Sequence, residues 1–256
     1  MATEAIQPNA VPSARRVYPN NRAVERGFFA GMAILLCVVV VIGFSRSYFL
    51  AGMVLAPLPN ALVHIHGAVF TLWMTLFLVQ TALVSARRVA WHRSLGTIAF
   101  CLPPLMVVLG LLAALDGLRR GVRIGPLDPT VSVAIPLLGI VVFAIVIAAA
   151  WRTRRQPDAH KRLIVYATIG LCEAAFGRFP WARLGLSPAV GATVGLGLLL
   201  LIMVVYDLLA LRRIHRSTLW AAPLTFILGA FAVPIGMTPV WHSFAAFLAR
   251  TIAPHI

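Results

Sequence analysis

One histidine setting recurs three times in this chain. The segments Arg87-Arg88-Val89-Ala90-Trp91-His92-Arg93, Arg154-Arg155-Gln156-Pro157-Asp158-Ala159-His160-Lys161 and Arg212-Arg213-Ile214-His215-Arg216 each run from an arginine pair through a spacer to a histidine and another cation. Each lies between two long apolar runs. Imidazole titrates near neutrality, and its neutral form binds transition metals and haem iron. The start of the next helix, with Ser94, Asp158 and Ser217 as expected N-caps, adds partial positive charge beside each ring. Neighbouring arginines add more, so the ring is held neutral. His92, His160 and His215 are therefore candidate cofactor ligands. Asp207 sits about one turn before the third segment, where an acid is costly unless paired or used. It can orient one of the histidines, as carboxylates behind metal ligands do. The competing readings are an anionic-headgroup site, or histidines that only hydrogen-bond in their turns with Asp207 paired to Arg212 or a neighbouring turn.

A second set lies inside the apolar runs. His64 and His66 fall in Leu62-Val63-His64-Ile65-His66-Gly67, and Glu173 precedes Arg178 by five residues. At 1.5 Å per helical residue the three lie at about the same depth from one membrane face. A carboxylate and imidazoles at one depth suit a transition-metal site or a proton relay. His64 and His66 are about 200° apart around a helix, so they face different neighbours. His66, Trp73 and Gln80 form one stripe, and His64, Thr71 and Leu78 the other. The alternative is a Glu173–Arg178 pair with hydrogen-bonded histidines. His242, beside Trp241, lies in the outer tail with His255 and is expected at the interface.

The elements that position these residues are membrane spans. The chain is 61% hydrophobic and 11% charged over 256 residues, far from the quarter or so charged in soluble domains. The net charge of +15 gathers at the ends of apolar runs, which marks anchoring to anionic lipid headgroups and not nucleic-acid binding. Apolar runs near the 20 residues needed to cross a bilayer occur at 27–49, 61–84, 95–115, 131–151, 162–178, 188–211 and 217–237. The expected fold is an all-α bundle of about seven helices, 27–237. A polar cytoplasmic tail, 1–26, precedes it, and an interfacial tail, 238–256, follows. The first helix is expected to be retained, since no small-residue cleavage site follows it. Most Lys and Arg fall on the side of the N-terminus and the three basic turns, which predicts an N-in, C-out protein of the inner (plasma) membrane. The loop 116–129, with Arg119, Arg120 and Arg123, is discordant. Cys37, Cys101 and Cys172 lie in apolar runs without CxxC spacing and read as small hydrophobes.

Several classes are excluded. The only lysine is Lys161, in a turn, so a retinal Schiff base in the last helix is ruled out. There is no Walker loop, GxSxG or CxxCH. One stretch, 61–96, resembles the cytochrome b561 type of membrane core: His66-Gly67, then Trp73, Ala86-Arg87-Arg88, His92 and Leu95-Gly96. The resemblance implies haem b with His66 as a ligand. The chain departs from that family in placing His92, His160 and His215 at helix ends. Three functions follow as expectations. The first is membrane redox chemistry on haem b or a histidine-bound metal, with quinone or a lipid substrate. The second is a proton- or metal-coupled transporter using His64, His66 and Glu173, with proline-broken helices as gates. The third is an accessory or assembly subunit working with other membrane subunits.

Overall fold

The computed structural model describes residues 19–50 and 60–251. Among these the chain is helical, with no strand. The first helix, α1, is Pro19–Phe44 and runs on through one π-helical turn, Ser45–Phe49. It is followed by α2 (Ala61–Ser85), α3 (Val89–Ala99), α4 (Leu102–Arg119), α5 (Pro129–Ser132) and α6 (Ala134–Arg152). The second half holds α7 (Pro157–Phe176), α8 (Pro188–Leu211), α9 (Arg216–Ala230), α10 (Ala232–Gly236) and α11 (Pro239–Thr251). Arg15, Arg16 and His255 lie outside the described residues. The polar tail expected over 1–26 is already helical from Pro19.

Five stretches are long and apolar enough to cross a bilayer: Arg22–Phe49, Ala61–Ser85, Val89–Arg119, Pro129–Arg152 and Pro188–Leu211. Their outward faces are apolar, as a lipid surroundings requires: Ile34, Val38, Val41 and Ile42 on α1, Leu198, Leu201 and Val205 on α8. The chain is a multi-pass membrane protein. Two of the seven expected spans differ from the rest. The span expected at 162–178 is α7, whose Asp158, Lys161, Arg162 and Glu173 set it apart from the apolar five. The span expected at 217–237 breaks after Ala230 into α9 and α10. The run expected at 95–115 also breaks, at Phe100-Cys101, because Pro103-Pro104 fit only the first turn of a helix.

The polar α7 is central. It packs against α1, α6, α8 and α9, and Tyr166, Ala167, Thr168, Ile169 and Cys172 are completely enclosed. A helix too polar for lipid is thus enclosed by its neighbours. Trp73 ties α2 to it, its Nε1 donating to Thr168 Oγ1 at 3.3 Å.

Candidate functional site

Each turn histidine fastens its own hairpin. With the Gln80 amide oriented to satisfy both neighbours, its nitrogen donates to His92 Nδ1 at 2.6 Å and its oxygen accepts from the Gly96 N–H at 2.9 Å. His160 Nδ1 donates to the Ala150 carbonyl at 2.8 Å, joining α7 to the end of α6. His215 is the N-cap of α9, its Nδ1 accepting the Ser217 N–H at 3.1 Å. The expected caps Ser94, Asp158 and Ser217 are corrected: α3, α7 and α9 begin at Val89, Pro157 and Arg216, so Asp158 and Ser217 lie inside the first turns and Ser94 in the second. Arg87 and Arg212 each take a left-handed backbone, with φ of 61° and 57°, to end α2 and α8. His215 titrates below the ordinary range because burial disfavours its charged form, and the nearby Arg162 guanidinium adds to this. The neutral ring expected from the sequence is also what an accepting Nδ1 requires.

Asp207 orients no imidazole. It pairs instead with Arg162 on α7, not with Arg212. Both side chains are fully buried, and Arg162 Nε and Nη2 donate to Asp207 Oδ1 at 2.8 and 2.7 Å. Asp207 Oδ2 accepts the Thr218 hydroxyl at 2.6 Å and the His215 N–H at 3.0 Å. Arg162 Nη1 donates to the Asp158 carbonyl at 2.9 Å. Lys161 bridges Asp158 and Glu25 of α1. A buried pair is tolerable only when its remaining donors and acceptors are met in this way. The knot joins α7, α8 and the start of α9.

The outer set is dispersed. His64 lies near Tyr48, whose hydroxyl donates to the His64 carbonyl at 3.1 Å. His66 stacks on Phe70 with ring centroids 4.1 Å apart, and its buried Nδ1 has no partner among the described residues. Glu173 points the other way. Its Oε2 lies beside Gly229 of α9, 3.0 Å from where a Cβ would stand. It makes no hydrogen bond or ion pair among the described residues; Arg178 donates to the Ala174 carbonyl and stacks on Phe44 instead. Among the described residues no three of His, Cys, Asp and Glu form a group that could hold a metal. The expected His64–His66–Glu173 site is therefore not assembled, because the three project into different helix interfaces.

What is assembled is a seam between α7 and α9. Arg162, Tyr166, Gly170 and Glu173 recur at three to four residues along one face of α7. Thr218, Ala222, Thr225 and Gly229 do the same along α9. Thr218 holds Asp207 beside Arg162, and the buried Tyr166 hydroxyl has no partner among the described residues. Gly170 meets Thr225, whose methyl would touch an added Cβ at 3.7 Å. Glu173 meets Gly229. Arg162 to Glu173 is eleven residues, or about 17 Å of rise. The seam thus carries polar and small groups nearly the length of α7. Small residues at four-residue spacing let two helices approach closely, and that spacing in α9 is the sequence signal that could have revealed it. Sequence reasoning also missed Arg162 as Asp207's partner and the chain Asp128–Thr130–His242. There Thr130 Oγ1 donates to Asp128 Oδ1 at 2.5 Å and lies 2.8 Å from His242 Nδ1, docking α11 on α5. These hydrogen bonds, Thr130's first, hold Asp128 below the usual carboxylate range.

Haem, implied by the cytochrome b561 resemblance, needs a second histidine facing His66 if its iron is bis-histidine ligated. Of the helices packed on α2, α1 and α4 contain none, and the one in α3, His92, lies beside Gln80 toward the opposite end of α2. Beside Gly67, the space a Cβ would take is filled by the Tyr48 ring. The residues present do not fit that group. No family model, curated protein or solved structure matches the chain.

Proposed function

We propose that the protein is a proton-coupled membrane transporter in which Glu173 exchanges the proton and the α7–α9 seam carries it. The observation behind this reading is the Glu173 carboxyl, without a partner among the described residues, at one end of a line of small and polar groups. Hydroxyl groups both donate and accept, so Tyr166, Thr218 and Thr225 can pass a proton between neighbours by rotating. Pro223 lies inside α9, and the helix breaks after Ala230, next to the Gly229 that faces Glu173. Broken helices beside a charged site are how many transporters gate access. The orientation that accompanies this reading is N-in and C-out in the inner (plasma) membrane. Arg119 and Arg120, two of the three discordant cations, both pair with the buried Asp116.

Vesicles containing the purified protein, given an inward pH gradient and a trapped pH dye, test the reading. Glu173→Gln should slow proton entry on the order of a hundredfold, as loss of a positioned proton-transfer group does. Entry at the wild-type rate overturns it. A second reading, a single transition-metal ligand at His66, rests on that ring's buried Nδ1, unpartnered among the described residues. Stoichiometric metal in the purified protein that disappears in His66→Ala would put it in place of the first.

A further inference from the structure

The flank of α9 beside the seam, reached at Thr218 and Ala222, borders a groove shared with α8. Gly197, Leu200 and Val204 line it from α8, and Ala222, Pro223 and Phe226 from α9. Its volume is about 440 Å3. Phe226 packs over Gly197, where an added Cβ would come within 3.3 Å of its ring. From Thr218 to Phe226 the groove follows eight residues of α9, about 12 Å. Ile214 closes its other end, and Ile214 belongs to the third basic turn. Arg212, Arg213 and Arg216 of that turn are exposed. None of the three has an acidic partner among the described residues, because Asp207 is committed to Arg162.

An apolar slot whose lining reaches Ile214, in a turn that also holds three exposed cations, has the chemistry of one kind of molecule. We propose that the groove and the basic turn together bind an anionic phospholipid, one acyl chain lying between α8 and α9 and the phosphate resting on Arg212, Arg213 and Arg216. A zwitterionic lipid gains only the slot, its phosphate being offset by its own cation. A free phosphate gains only the turn. The inference does not depend on the transport reading. It does bear on the knot, because the chain would lie against Thr218, whose hydroxyl is held by Asp207.

The test is lipid binding to the delipidated full-length protein, read by native mass spectrometry with dioleoylphosphatidylglycerol and dioleoylphosphatidylcholine. Gly197→Phe fills the slot, and Arg213→Gln with Arg216→Gln removes exposed charge without touching the core. The phosphatidylglycerol affinity should exceed that for phosphatidylcholine about tenfold and fall by about tenfold in each variant, as expected for one or two cations near a headgroup. Glycerol phosphate should not compete. Equal affinity for the two lipids overturns the proposal. So does a loss in only one of the two variants, or displacement by glycerol phosphate, since each leaves one half of the site without a role.

Discussion

The two ends of α7 carry charge in opposite ways. At one end Arg162 is buried with Asp207, and Thr218, His215 and the Asp158 carbonyl meet the remaining hydrogen-bonding groups. At the other end Glu173 faces Gly229 with no partner among the described residues. Both residues lie on one helix face, in one seam. A charge whose partners are all supplied holds helices together and is poorly suited to change its state. A carboxyl left without partners adds little to the fold and can gain or lose a proton at low cost to it. The comparison therefore assigns structure to the first end and exchange to the second.

The most severe way to break the comparison is at the knot. Arg162→Ala or Asp207→Ala strands a buried charge and should cost about 3–5 kcal/mol of stability, read as a drop in thermal midpoint of the detergent-purified protein. Replacing both together, as Arg162→Met with Asp207→Leu, should recover most of that loss. If the singles were no worse than the double, the pair would not be what joins these helices. The cap gives the next largest effect. His215→Ala removes the acceptor for the Ser217 N–H and should cost about 1 kcal/mol.

The same histidine predicts a pH dependence. Its folded-state affinity for protons is depressed by burial and by Arg162, so the unfolded chain binds more protons below the ordinary histidine value of about 6.5. Stability contributed by His215 is full above that value and declines as pH falls beneath it. In His215→Ala this decline should shrink; an unaltered pH profile would assign it to other groups. The smallest stability effect belongs to Glu173→Gln, at about 0.5 kcal/mol or less, although the variant should lose proton exchange. A large destabilisation there would erase the contrast between the two ends.

Much of this arrangement is legible in the sequence, but not its pairings. Apolar runs mark α1, α2, α6 and α8 closely, because a bilayer imposes one length and one composition on a helix. The break near Cys101 is less visible, since the apolar run continues across it while the helix does not. Asp207 and Glu173 stand out as acids in apolar surroundings. Their fates do not. Asp207 finds Arg162, 45 residues away, and Glu173 turns toward α9 and away from His66, because helix rotation and neighbour choice are set by packing across the bundle. Equal depth put His64, His66 and Glu173 together on paper; direction around the helix axis separates them. The turn histidines are legible as a repeated motif, but the structure gives each Nδ1 a different partner: the Gln80 amide, the Ala150 carbonyl and the Ser217 N–H.

The most direct test of the central claim is carbodiimide labelling in membranes, followed by peptide mass spectrometry. Dicyclohexylcarbodiimide partitions into the bilayer and reacts with protonated carboxyls there. If Glu173 exchanges protons and Asp207 is locked in its pair, the adduct should form on Glu173, faster as pH falls, and be absent from Asp207. An unlabelled Glu173, or an adduct on Asp207 instead, would contradict the division of labour between the two ends of α7.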